Sequence, residues 1–201
     1  TFEPFTRKQL EEFAAGSPSK AFGDPYAPFD QDRFIARLPA PPYLFMDRVI
    51  HCDPSQWELK PDGWVHAQYD VSTADWYFQA DRSVVVPYAV LLEMALQPCG
   101  WLAAYMGSAL HSRGDLKFRN LGGTARLAGD IPADDDTVNM RVRLTNVSEA
   151  ADMIIENFDF SVSVGETQVY SGDTYFGFFT PQALDQQVGI RTARERMYIP
   201  P

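Results

Sequence analysis

Glu93 is the only charged residue in PYAVLLEMALQPCGWLAAYMGSAL (residues 87–110), and an amide, Gln97, lies one helical turn beyond it. A carboxylate in apolar surroundings costs free energy unless it is paired, hydrogen-bonded or put to use. Glu93 is therefore the first residue that needs a chemical reason. The other groups capable of chemistry are scattered. His66 alternates with Gln68 and Asp70 and reads as a half-exposed strand histidine. His51 beside Cys52 lacks the three or four convergent ligands that a zinc site needs. His111 falls in a turn at residues 111–115. The run Asp134-Asp135-Asp136 has no spaced Asx/Gly/Glu loop around it, so a solvated hairpin tip is expected rather than a calcium site. No metal site is expected.

The stretch that carries Glu93 is interrupted by Gln97, Pro98 and Gly100. A bilayer needs about 20 predominantly apolar residues in a row, so it is not a membrane span. Its faces are all apolar, the pattern of a helix surrounded by protein. Pro98 removes one N–H and clashes with residue 94, which bends the helix either to fit a curved sheet or to shape a tunnel. The rest of the chain supplies the surroundings. Residues 64–71 alternate, with Val65, Ala67, Tyr69 and Val71 on one face. LKFRNL (116–121) is a strand, and longer alternating runs cover about 137–147, 152–164 and 167–179. In the first of these Val138, Met140, Val142 and Leu144 share a face; in the second Ile154, Phe158, Phe160 and Val162 do. Period-two alternation of this length signals antiparallel strands packed on one side. One apolar helix among five or six such strands predicts an α+β hotdog fold, a curved antiparallel sheet wrapped around the helix. Its open edge strand calls for a partner, in a dimer or a neighbouring domain.

Ahead of these elements, TRKQLEEFAA (6–15) fits a helix capped by Thr6 and stopped by Gly16-Ser17-Pro18. Residues 21–42 suit an irregular arm lying against a surface, with a turn of helix at 30–36. Residues 38–50 lead into an apolar strand or helix turn, and the aromatic triplet Trp76-Tyr77-Phe78 leads into a polar turn before Pro87. The expected division is an N-terminal helix and proline-rich arm (1–42), a hotdog domain (43–180) and a C-terminal extension or linker (181–201).

With 201 residues, 45% of them hydrophobic and 13% aromatic, the chain can bury one real core and is not disordered. A net charge of -10 argues against non-specific nucleic-acid binding, which needs a basic surface. The two cysteines, Cys52 and Cys99, form no CxxC, so a reduced, cytoplasmic protein is the expectation. TFEPFTRKQL has no apolar core of a signal peptide. The absent initial Met and the terminal Ile199-Pro200-Pro201 suggest a piece cut from something longer.

Three segments carry a resemblance. LPAPPYLFMDRV (38–49) is similar to an LPAPxxLxMDRV motif, YDVSTADWYF (69–78) to an LDIxPDxWFF strand, and PYAVLLEMALQPCGWLAAYMGS (87–108) to a PGxLGLDAxxQLxGFxxG helix. These are motifs of the bacterial 3-hydroxydecanoyl-ACP dehydratase family. FRNLGG (118–123) and GDTYFGFFTPQALDQQVGIR (172–191) resemble in particular the dehydratase domains of polyunsaturated-fatty-acid and polyketide-type synthases. The resemblance implies elimination of water from a 3-hydroxyacyl thioester carried on the phosphopantetheine of an acyl carrier protein, with no cofactor of the domain's own. A histidine takes the C2 proton, and a helix acid protonates the leaving hydroxyl. Burial in an apolar helix raises such an acid's pKa towards a useful range. Carried over, Glu93 takes the acid position, Gln97 that of the supporting amide, and the backbone N–H of Tyr88 that of the glycine N–H that polarises the thioester carbonyl.

The base does not carry over. The family motif W-F-F-x-x-H-F-x-G-D-P-V-M-P-G corresponds to WYFQADRSVVVPY, shorter by two residues. The histidine position falls on Gln79 or Asp81, depending on the end from which it is counted. Gln cannot act as a general base near neutral pH, and Asp only weakly. In the relatives each active site joins the histidine of one hotdog to the acid of its partner. Glu93 would then serve a companion, an identical chain or a tandem domain, that carries the histidine. The alternatives are a catalytically inactive hotdog kept for assembly or acyl-chain binding, and a substitution at position 79, against which the shortened loop argues. Arg113, Lys117, Arg119 and Arg126 are either a docking surface for the anionic carrier or ordinary strand-face charges.

Overall fold

The computed structural model describes residues 2–134, 136–150, 153–186, 189 and 192–199. The start of the alternating run at residue 152, Asp135 of the acidic run, and parts of the C-terminal extension lie outside the described residues. The N-terminal arm holds α1 (Arg7–Ala15), α2 (Pro18–Phe22) and a 3-10 turn (Asp24–Phe29). Then follow β1 (Arg48–Cys52), β2 (Val65–Asp70), α3 (Trp76–Asp81), α4 (Tyr88–Tyr105), β3 (Lys117–Leu127), β4 (Thr137–Ala150), β5 (Met153–Val164), β6 (Thr167–Phe179) and α5 (Pro181–Asp185).

The six strands form one antiparallel sheet in the order β1-β2-β4-β5-β6-β3. Alternation decides which face is covered. Val65, Ala67 and Tyr69 of β2 and Val138, Met140, Val142 and Leu144 of β4 are buried, with their neighbours in the alternation more exposed. On β5, Ile154, Phe158, Phe160 and Val162 are buried as the pattern demands. This face packs on α4, which lies against β2, β4 and β5. The arrangement is the α+β hotdog fold.

Three local expectations are corrected. The helix is not enclosed on every side: Ala89, Leu92, Glu93, Leu96 and Gly100 fall on one stripe and stay partly or fully accessible. Nor does the strand at 69–78 run through. β2 ends at Asp70, because the Asp75 carboxylate gathers the Ser72 N–H (3.0 Å) and the hydroxyls of Tyr69 (3.0 Å) and Tyr77 (2.8 Å). That closed turn starts α3, so Gln79 and Asp81 sit on a helix rather than in a turn. Finally, the strand expected at 116–121 continues to Leu127. The strand bulges at Leu121, between Asn120 and Gly122, and Gly123 beyond it is required because a Cβ there would strike the Asp173 carbonyl.

The arm is part of the core, not a strap on its surface. Thr6 and Gln9 form a capping box that starts α1, and Leu10 and Phe13 are buried beneath it. Phe5, Phe22 and Tyr26 gather around Trp101 and Tyr105 of α4; the Phe5 and Trp101 rings stand 5.1 Å apart, and the Tyr26 hydroxyl donates to the Ala104 carbonyl at 2.6 Å. The helical turn expected at 30–36 occurs earlier, at Asp24–Phe29. Phe5 also exchanges two backbone hydrogen bonds with Val49, which covers the outer edge of β1. The opposite edge, β3, pairs only with β6, and its residues are exposed almost throughout.

Candidate functional site

The side-chain amide of Gln97 organises the site. Its Oε1 accepts from the Phe45 N–H at 2.7 Å, and its Nε2 donates to the Tyr43 carbonyl at 2.9 Å and to Glu93 Oε2 at 3.1 Å. One buried side chain therefore ties the 43–47 segment to the helix and holds the carboxyl one turn earlier. The segment is fixed from its other side by Arg7, whose guanidinium donates to the carbonyls of Leu44 (3.1 Å) and Met46 (2.9 Å) and to the Asp47 carboxylate (3.0 Å). Replacing Gln97 by Leu leaves the buried Phe45 N–H without a partner and strips the partly buried Tyr43 carbonyl of its bond. The unpaired N–H costs about 1–3 kcal/mol, so urea denaturation should place the variant about 1–3 kcal/mol below the wild type.

Glu93 is half-buried rather than enclosed, and it opens into a cavity of about 280 Å³. The helix contributes Glu93, Gln97, Gly100 and Ala104 to its wall, and Ser108 follows at the far end. The arm (35–39) closes one side, and Phe118 and Asn120 of β3 with Phe176 and Phe178 of β6 close the other. The cavity lies where α4, packed mainly on β2, β4 and β5, turns the stripe that carries Glu93 towards β6 and β3.

No histidine lines this wall. His51 pairs with Asp53 at 2.7 Å, His66 with Asn139 at 2.9 Å, and His111 with Glu149 at 3.3 Å. Gln79 and Asp81 are exposed on α3 and are also absent from the wall. Tyr88 opens α4 and is 55% exposed, with its hydroxyl 3.1 Å from that of Tyr170. The cap residue ahead of it, Pro87, brings no side-chain acceptor; its carbonyl takes the N–H groups of Val90 (2.9 Å) and Leu91 (3.0 Å), and the N–H groups of Tyr88 and Ala89 keep their donor capacity. Lys117, Arg119 and Arg126 share, by register, the sheet face turned away from α4, and Arg113 lies in the turn before them. The Lys117 ammonium sits 3.3 Å from the Phe34 ring centroid, and Arg119 also has a partner. The cysteines are buried, and burial pushes the Cys52 thiol up to about 12. Among the described residues no group of three or more His, Cys, Asp or Glu side chains converges.

One acid escaped the sequence reading. Glu156 occupies the apolar face of β5 between Ile154 and Phe158 and is fully buried, with its carboxyl hydrogen-bonded to the Ser108 hydroxyl. Burial pushes it up to about 7. The signal was available: position 156 has the parity of its buried neighbours, and a carboxyl there breaks the alternation.

Residues 38–173 match the FabA-like domain family. A subunit of a polyunsaturated fatty acid synthase from a Thraustochytrium species is 27% identical over 208 residues. That match covers 96% of this chain and 13% of the relative, so the chain spans a small part of the relative's length. Among solved structures, the dehydratase heterocomplex ApeI:P from Xenorhabdus doucetiae aligns with a TM-score of 0.47 and 16% identity, over 73% of this chain and 90% of that one. A probable thioesterase from Bartonella henselae aligns with a TM-score of 0.48 and 16% identity, over 60% and 94%.

Proposed function

The chain belongs to the FabA-like domain family, and on that premise we propose that it supplies the acid half of a 3-hydroxyacyl-thioester dehydration site. The observation that carries the reading is the Glu93–Gln97 pair, 3.1 Å apart and open to a cavity that no histidine lines. The substrate is a 3-hydroxyacyl chain on a carrier protein's phosphopantetheine. A companion hotdog contributes the histidine that takes the C2 proton. As the C2–C3 double bond forms, the C3–O bond breaks, and protonated Glu93 gives its proton to the departing hydroxyl, which leaves as water. Gln97 holds the acid in place, and the Tyr88 N–H, at the unpaired start of α4, polarises the thioester carbonyl. The exposed edge of β3 supports pairing with a second hotdog, since the other sheet edge is already covered by Phe5.

A second reading, an inactive hotdog retained for assembly or acyl binding, is favoured by the two exposed residues at the histidine position, Gln79 and Asp81. The test is to present a 3-hydroxyacyl thioester to the longer native polypeptide that contains this chain. Formation of the 2-enoyl thioester is expected. Untouched substrate would leave the scaffold reading in its place.

A further inference from the structure

The wall of the cavity becomes more buried along α4. Glu93, Leu96 and Gly100 are half-buried, while Ala104 is 7% exposed and Ser108 1%. Eleven residues separate Glu93 from Ala104, which at about 1.5 Å each places the buried end about 16 Å from the acid. Behind that end stands Glu156. The Ser108 hydroxyl has one proton and donates it to the Ala103 carbonyl at 2.8 Å. The same hydroxyl lies within hydrogen-bond distance of the Glu156 carboxyl. The second carboxyl oxygen, Oε2, is buried and has no partner. The groups that sense this acid are Glu149 on β4, Tyr26 on the arm and Cys99 on α4; none is cationic. A buried acid is costly to keep unless it fixes something.

We propose that Ser108, held by the carboxyl of Glu156, is a polar end wall that sets how long an acyl chain the cavity admits. The inference rests on the acyl-thioester reading of the site. It makes Ser108 a specificity-determining residue and Glu156 a positioning residue. Each methylene laid along the apolar wall strengthens binding by about fourfold. That gain should stop where the chain meets Ser108, because a methyl group cannot replace the hydrogen bonds made there.

Calorimetry with non-reacting acyl-pantetheine amides of increasing length, bound to the polypeptide that contains this chain, tests this without catalysis. Wild type should gain about fourfold per methylene up to a break and nothing beyond it. The double variant Ser108→Ala with Glu156→Leu removes both buried partners together and should carry the gain past the break. Gly100→Val, midway along the wall, should bring the break several carbons earlier. Glu156→Gln, which can still hydrogen-bond to Ser108, should keep the wild-type break. A break that ignores the double variant would overturn the end wall alone. Failure of any amide to bind would overturn it together with the acyl-thioester reading.

Discussion

Replacing Glu93 by Gln is expected to slow dehydration in the native, companion-containing polypeptide by about 10²–10⁴-fold, the usual worth of a positioned general acid. The substitution isolates the proton. Gln97 Nε2 donates to Glu93 Oε2 at 3.1 Å, and a glutamine at 93 still offers a carbonyl oxygen to it. The bonds from Gln97 to Tyr43 and Phe45 are untouched, so the fold and the cavity should survive. The loss should appear in kcat with KM little changed, because the hydroxyl needs its proton only as the C–O bond breaks. An equal rate in both forms would remove Glu93 from the mechanism.

The second large effect concerns pH. Glu156 is held well above its ordinary 4.5, at about 7, by burial on β5. The folded state therefore keeps a proton that the unfolded chain has released, and stability falls as pH rises. The contribution is whole below about pH 4.5, declines through the interval up to about 7, and is gone above it. Carrying the group from 4.5 to about 7 corresponds to about 3 kcal/mol. Urea titrations at intervals from pH 5 to 8 should show this decline in the wild type and a nearly flat line in Glu156→Gln. Parallel curves would show that Glu156 is not the group responsible. At lower pH the slope reverses: Asp53 and Asp70, held below their usual range by hydrogen bonds from Trp64 and Arg48 respectively, lose that support as they protonate.

The sheet was legible wherever one face of a strand is buried and the other is not. Val138, Met140, Val142 and Leu144 could be read because a half-covered strand must alternate. β3 escaped at its second half, since both of its faces are exposed and Gly122-Gly123 is the same dipeptide a turn would use. α3 depended on three groups meeting at the Asp75 carboxylate, an encounter that no local pattern announces. Of the site, the Glu93–Gln97 spacing was legible and the open stripe was not. A helix apolar on every side does not say which side its sheet leaves uncovered. Tyr43 and Phe45, which Gln97 ties to the helix, lie more than fifty residues away in sequence, whereas Glu156 does break the alternation of its run and was open to reading.

In the proposed function α4 presents half of an active site. Complementation tests it directly. A His-bearing companion hotdog whose own helix acid has been replaced is mixed with this chain, and 2-enoyl thioester is followed from a 3-hydroxyacyl thioester. Turnover is expected only for the mixture, and only when this chain carries Glu93. Robust turnover by this chain alone, or an undiminished rate with Glu93→Gln in the mixture, would contradict it.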